Sequence, residues 1–185
     1  MRRVAEMAAS ILILTGPPGS GKSTVAKLLA DGADGPAVHL HTDDFYTSIR
    51  KGFIQPWLPQ SQRQNEIVVG VIVEAALGFA RGGYDVIADG IVGPWFLEPF
   101  RAASVLHRIP IDYAVLRPGA AISLERARSR SDGELKDEEA IQGLCRAFAD
   151  MGPFESHSVD SASQTPAETA DIVREKWKNG QFRLM

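Results

Sequence analysis

Short runs of aliphatic and β-branched residues alternate along this chain with longer stretches whose apolar positions recur every three to four residues. That alternation predicts a parallel sheet covered by helices, an α/β fold. The first strand is Ile11 to Thr15. After a turn-rich loop, Lys22 to Ala30 has helical spacing, with Val25, Leu28 and Leu29 on one face. A second strand covers Ala37 to His41, and Thr42 to Pro59 reads as irregular because Gly52, Pro56 and Pro59 interrupt it. A long helix follows from Ser61, its expected N-cap, to Arg81, where Gly82-Gly83 stops it. Tyr84 to Ala88 is the third strand, Pro94 to Ser104 a short helix, and Ile111 to Leu116 the fourth strand. Gly119 to Ser131 and Asp137 to Met151 read as helices, with Ser158-Val159 in a weak fifth strand between them and the last helix. That last helix starts at Thr165-Pro166-Ala167-Glu168, a capping-box pattern, and runs to about Asn179-Gly180.

The whole chain of 185 residues (1–185) fits a single domain, and no internal repeat or interdomain linker interrupts it. Twenty Lys and Arg against 23 Asp and Glu leave a net charge of −3, which argues against nucleic acid as a general partner. The longest apolar stretch, Ile67 to Ala80, is broken by Glu74 and falls short of the roughly 20 residues a bilayer span needs, so no membrane partner is expected. The single cysteine, Cys145, excludes an internal disulfide and suits a reducing, cytoplasmic location, with a buried or half-buried structural role. None of the four histidines has a Cys or His partner at zinc-motif spacing.

The densest chemical signal follows the first strand. Gly16-Pro17-Pro18-Gly19-Ser20-Gly21-Lys22-Ser23 matches G-x-x-x-x-G-K-[ST], and Thr24 completes the segment that opens the helix. The glycines let the backbone curl so that its N–H groups face phosphate oxygens, and the helix N-terminus adds its positive end. Lys22 is a mobile charge able to reach the β- and γ-phosphates, and Ser23 offers a hydroxyl oxygen to Mg²⁺. ATP and Mg²⁺ are therefore the expected ligands. Asp89, at the end of Tyr84-Asp85-Val86-Ile87-Ala88-Asp89-Gly90, is the expected second metal element, holding a metal-bound water or polarising the acceptor.

Three further features point to phosphoryl transfer onto a small molecule. Thr42-Asp43-Asp44-Phe45 follows the second strand, where the carboxyl ends of parallel strands form the ligand crevice. One of its two carboxylates is the expected acceptor of a hydroxyl proton, Asp43 rather than Asp44 because it lies nearer the strand end. Arg126 and Arg130 are four apart on one helix face and can clamp the transferring phosphoryl group or stack on adenine; Arg117 and Arg128 lie close by in sequence. The chain is also too compact for a molecular motor and has no guanine-specificity N-K-x-D. Trp57 and Trp95, with Arg63 and Gln64, fall where an acceptor could bind or where a loop simply packs.

On GPPGSGKST (16–24), TDDFY (42–46), VIADG (86–90) and LRP with LERARSR (116–130), the chain resembles the small P-loop kinases of the nucleoside-monophosphate-kinase-like group. That group includes gluconate kinase, shikimate kinase and chloramphenicol phosphotransferase. The resemblance spans Ile11 to about Val173. It implies a three-layer α/β/α fold, a five-stranded parallel sheet in the order 2-3-1-4-5, and a small lid at about 119–137. It aligns Asp43 with the base proposed for chloramphenicol-phosphotransferase-like members, and Arg126 and Arg130 with lid arginines. The expected activity is transfer of the γ-phosphoryl of Mg-ATP to a hydroxyl of a small polar molecule. A nucleoside monophosphate kinase, for which Arg50, Arg63 and Arg101 would have to hold the acceptor phosphate, and an ATP-binding regulatory module without turnover are the alternatives.

Overall fold

A computed structural model describes residues 9–128 and 137–184. Its centre is a five-stranded, all-parallel sheet in the order β2-β3-β1-β4-β5: β1 (Ile11–Thr15), β2 (Ala37–His41), β3 (Asp85–Asp89), β4 (Ile111–Leu116) and β5 (Ser158–Val159). This is the order expected from the resemblance. Seven α-helices are described: α1 (Lys22–Asp31), α2 (Asp43–Thr47), α3 (Gln62–Arg81), α4 (Glu98–His107), α5 (Ala120–Arg128), α6 (Glu138–Ala147) and α7 (Pro166–Lys178). No helix among the described residues is long and apolar enough to cross a membrane.

The unbroken apolar sequence of β1 follows from its place. It lies between β3 and β4 with both faces covered, so every residue from Ile11 to Thr15 is fully buried. Ile11 and Ile13 join one core with Val69, Ile72, Val73 and Ala76 of α3 and Phe100 of α4. Leu12 and Leu14 face the other way, onto Val25, Ala26 and Leu29 of α1 and Val173 of α7. Alternate β1 side chains thus bind two helix layers, giving the three-layer arrangement. Each such side chain contributes about 1.5–3 kcal/mol by leaving water.

β5 pairs with β4 only at Val115 and Leu116. Behind it, residues 182–184 run antiparallel beside β4: Tyr113 N–H donates to the Phe182 carbonyl (2.7 Å) and Leu184 N–H to that of Ile111 (2.9 Å). Buried Asp112 accepts from Arg183 Nε at 3.1 Å across this seam.

Several expected boundaries shift. A short helix, α2, forms within the stretch read as irregular, because Asp43 and Asp44 occupy its first turn, where acidic side chains suit a helix start. Ser61 does not cap α3 through its side chain; its hydroxyl donates instead to the Pro56 and Leu58 carbonyls. The segment expected as one helix from Pro94 is a 3₁₀ turn, Pro94–Phe96, followed by α4, with Pro99 in the first turn of that helix. The capping box of α7 is present, Thr165 accepting from Glu168 N–H and Glu168 from Thr165 N–H. Residues 129–136 of the expected lid lie outside the described residues.

Candidate functional site

The carboxyl ends of β1, β2 and β3 converge on one loop. Between β1 and α1 the chain turns through Gly16, Gly19 and Gly21 at φ +148°, +79° and +87°. These are backbone conformations that glycine tolerates and other residues resist. Space is tight as well: a Cβ on Gly16 would meet the Leu116 carbonyl at 2.2 Å, and one on Gly19 the Ser123 carbonyl at 2.2 Å. The end of β4 and the middle of α5 therefore press directly on the loop backbone. Lys22 opens α1 and is buried at 5% exposure, and Ser20 is buried with its hydroxyl oxygen lacking a hydrogen-bond partner among the described residues.

Asp89 ends β3 with a fully buried side chain. Ser23 Oγ donates to its Oδ2 at 2.5 Å, and His39 Nε2 lies 2.7 Å from its Oδ1. Because an ionised carboxylate only accepts, His39 carries its proton on Nε2. Burial pushes this carboxyl upward, but the hydrogen bonds from His39 and Ser23, aided by the nearby His41, outweigh it and hold Asp89 below the ordinary 3.8.

The turn after β2 is bound to the same corner. Thr42 N–H donates to the Asp89 carbonyl at 2.9 Å, and a Cβ on Gly90 would fall 1.7 Å from Thr42 Oγ1. This seats the start of α2, and with it Asp43, beside the end of β3. Asp43 and Asp44 are both exposed. They differ in surroundings: Asp44 faces His41 Nδ1 at 3.6 Å, whereas the Asp43 carboxylate adds to burial in pushing the Tyr46 phenol up to about 12. The next loop is pinned from two sides, since Val92 N–H donates to Thr15 Oγ1 and Tyr113 Oη donates to the Val92 carbonyl, both at 2.9 Å.

The arginines diverge. Arg117 pairs with Glu155 and donates to the Ala149 carbonyl, tying the end of β4 to the segment after α6. Arg128 binds Glu138 at 2.7 Å, joining α5 to α6. Arg126 borders a cavity of about 260 Å³ with Gly21, Thr24, Gln164 and Pro166, its guanidinium 3.5 Å from the Ser161 carbonyl. Arg130 lies outside the described residues. A second cavity, about 570 Å³, lies beside Pro17, Arg117 and Gly119 and includes Cys145 in its wall. Cys145 is half-buried, and burial pushes its thiol up.

Gln64 serves the loop rather than the crevice: it accepts from Ile54 N–H and donates to the Ile54 carbonyl. Asn65 and Ser61 hold the Pro56 carbonyl in the same brace. Arg63 is exposed. Arg101 is turned inward, its guanidinium 5.3 Å from the Phe154 ring. Trp95 is 53% exposed, with its indole against Gly93 and 6.0 Å from Phe148, and Trp57 is 38% exposed. His39 and Tyr46 are the site neighbours that sequence reasoning missed. The signal for His39 was its place two residues before His41 on a strand whose end was already suspected of function.

A family model described as chloramphenicol phosphotransferase-like protein matches residues 9–178. No curated protein matches the sequence. Among solved structures, the chain is similar to a sugar kinase from Janibacter sp. HTCC2649, with 15% identity and a TM-score of 0.71 over 92% of this chain and 95% of that one. It is similar to the tunicamycin resistance protein of Deinococcus radiodurans, with 14% identity and a TM-score of 0.68 over 96% and 99%. A gluconokinase from Sinorhizobium meliloti 1021 matches with 18% identity and a TM-score of 0.64 over 93% and 97%. At these identities the likeness is one of fold.

Proposed function

This chain belongs to the chloramphenicol phosphotransferase-like family, and from that premise we propose that it is a kinase moving the γ-phosphoryl group of Mg-ATP to a hydroxyl of a small polar molecule. The observation that carries the reading is the convergence of the glycine-bent loop, Lys22 at the head of a ten-residue helix, and the Ser23–Asp89 pair, which joins the first turn of that helix to the end of β3. The donor set suits a phosphate with its cation: a helix N-terminus, an ammonium, a buried hydroxyl with no partner among the described residues, and a hydroxyl beside an ionised carboxylate. No cluster of three or more His, Cys, Asp or Glu able to hold a metal occurs among the described residues. That suits Mg²⁺, which is commonly held by one or two protein groups plus substrate phosphates.

The roles follow from position. The backbone N–H groups of Gly19, Gly21, Lys22 and Ser23 would cradle the β-phosphate, Pro17 and Pro18 having none to give, and Lys22 would reach the β- and γ-phosphates. Ser23 supplies a metal ligand, and Asp89 orients it. When bound, Mg²⁺ neutralises charge on the phosphate oxygens. Arg126 borders the cavity next to Thr24 and Pro166, which favours stacking on the base over a clamp on the phosphoryl group. Asp43 takes the proton of the acceptor hydroxyl as its oxygen attacks the γ-phosphorus and ADP departs. The engagement of Asp44 with His41 supports that choice. The inward turn of Arg101 onto Phe154 removes one of the arginines that a nucleoside monophosphate would need.

The test is ADP formation by purified protein with Mg-ATP, screened against pooled alcohols, sugar acids, nucleosides, nucleoside monophosphates and hydroxyl-bearing antibiotics. One pool is expected to stimulate turnover well above background, and Asp43→Asn to reduce that turnover about 10²-fold or more with ATP affinity little changed. Unchanged turnover in Asp43→Asn removes the residue from the mechanism. Tight ATP binding with no stimulating pool favours the regulatory module.

A further inference from the structure

Ser23 has one proton and two lone pairs. In the structure it gives the proton to Asp89 Oδ2, so its lone pairs remain for a cation. This holds only while Oδ2 faces Ser23, and a carboxylate at a strand end can turn about its Cα–Cβ and Cβ–Cγ bonds. Something must hold the other oxygen. The β1 residue in register with Asp89 is Leu14, which offers no polar group. The β2 residue in register is His41, but its ring faces Asp44. His39, one pair back on the same face of β2, reaches Oδ1 at 2.7 Å.

We infer that His39 is a positioning residue for the metal-bearing corner: by holding Oδ1 of Asp89 it keeps Oδ2 turned to Ser23 and leaves the Ser23 lone pairs free for the cation. The inference rests on the reading of this site as that of a Mg-ATP-dependent kinase. It makes His39 an outer-shell partner, the kind of group whose loss lowers metal affinity by about 10–100-fold. The role requires a donor at the position of Nε2 and no other property of the ring.

The experiment compares wild type with two variants close in shape to each other. His39→Met removes the donor, and His39→Gln retains an N–H near the position of Nε2. Mn²⁺ affinity in the presence of saturating ADP is read by electron paramagnetic resonance, and ADP affinity is read separately in EDTA. Thermal unfolding of each apo protein checks folding. The expected result is a loss of Mn²⁺ affinity of about 10-fold or more in His39→Met, near wild-type affinity in His39→Gln, and unaltered ADP affinity in EDTA for both. Equal Mn²⁺ affinity in wild type and His39→Met overturns the assignment of His39 alone. Equal loss in both variants also overturns it, because the donor then has no bearing. Wild type that holds no Mn²⁺ with ADP overturns this inference together with the kinase reading beneath it.

Discussion

Gly90 follows Asp89 and is as constrained by its neighbours as any glycine in the loop. A methyl group there would collide with Thr42 Oγ1, so the two strand ends can meet only if this position stays bare. Gly90→Ala is expected to displace the Thr42–Asp43 turn, cost about 1–3 kcal/mol of stability and reduce turnover more than nucleotide affinity. Denaturant unfolding and steady-state kinetics read these effects; wild-type stability in the variant would show that Thr42 yields freely. At this scale the sequence was informative where chemistry is concentrated in a contiguous motif. Gly16 to Ser23 announced itself because spacing and residue type were both constrained. His39 did not, since a histidine on an edge strand reads as an ordinary half-exposed position until the register brings it to Asp89. Gln64, left open between an acceptor contact and a packing role, and Arg117, named only as a neighbour of the lid arginines, are bound to backbone carbonyls and, for Arg117, also to Glu155.

Among elements, the strands were legible, including β2 (Ala37–His41), whose residues are only half-buried. The unbroken apolar run of β1 and the β-branched runs of β3 and β4 carry their burial in their composition, and α3 carries its buried stripe in its period. The five-residue α2 was not legible, because a single turn stabilised by its place against Thr42 and Asp89 leaves no periodic pattern. The loop after β3 is likewise made by tertiary contacts. Thr15 of β1 and Tyr113 of β4 grip opposite ends of the Val92 residue. Tyr113→Phe leaves the Val92 carbonyl without that donor and is expected to destabilise the protein by about 1–3 kcal/mol. If urea unfolding shows no change, the hydroxyl does not hold the loop. Because the loop leads into Gly93 and Trp95 at the crevice, the same substitution is expected to alter acceptor KM more than ATP affinity.

For the whole molecule, periodicity alone predicted a parallel sheet but not its strand order; that order came from the resemblance, and the register confirms it. The antiparallel run of residues 182–184 beside β4 had no sequence signal, since three residues are too few for a pattern. It brings a buried carboxylate with it. Burial raises Asp112 above 3.8, and the neighbouring Arg183 only partly offsets this. Between 3.8 and the raised folded value the native chain keeps a proton that the unfolded chain releases, so this group's contribution to stability falls as pH rises across that window. Asp112→Asn removes the titration. The stability of wild type relative to Asp112→Asn is therefore expected to decline as pH rises above 3.8, measured by denaturant unfolding at each pH; a flat difference would place the Asp112 pKa at its unfolded value. The Ser23–Asp89 and His39–Asp89 hydrogen bonds span 66 and 50 residues of sequence. Closing loops of that length is entropically costly and slow compared with forming a single helix. A refolding chain therefore gains the Ser23–Asp89–His39 corner only when β1, β2 and β3 have all docked, so recovery of the proposed nucleotide binding is expected to track global folding rather than the local appearance of the Gly-rich turn.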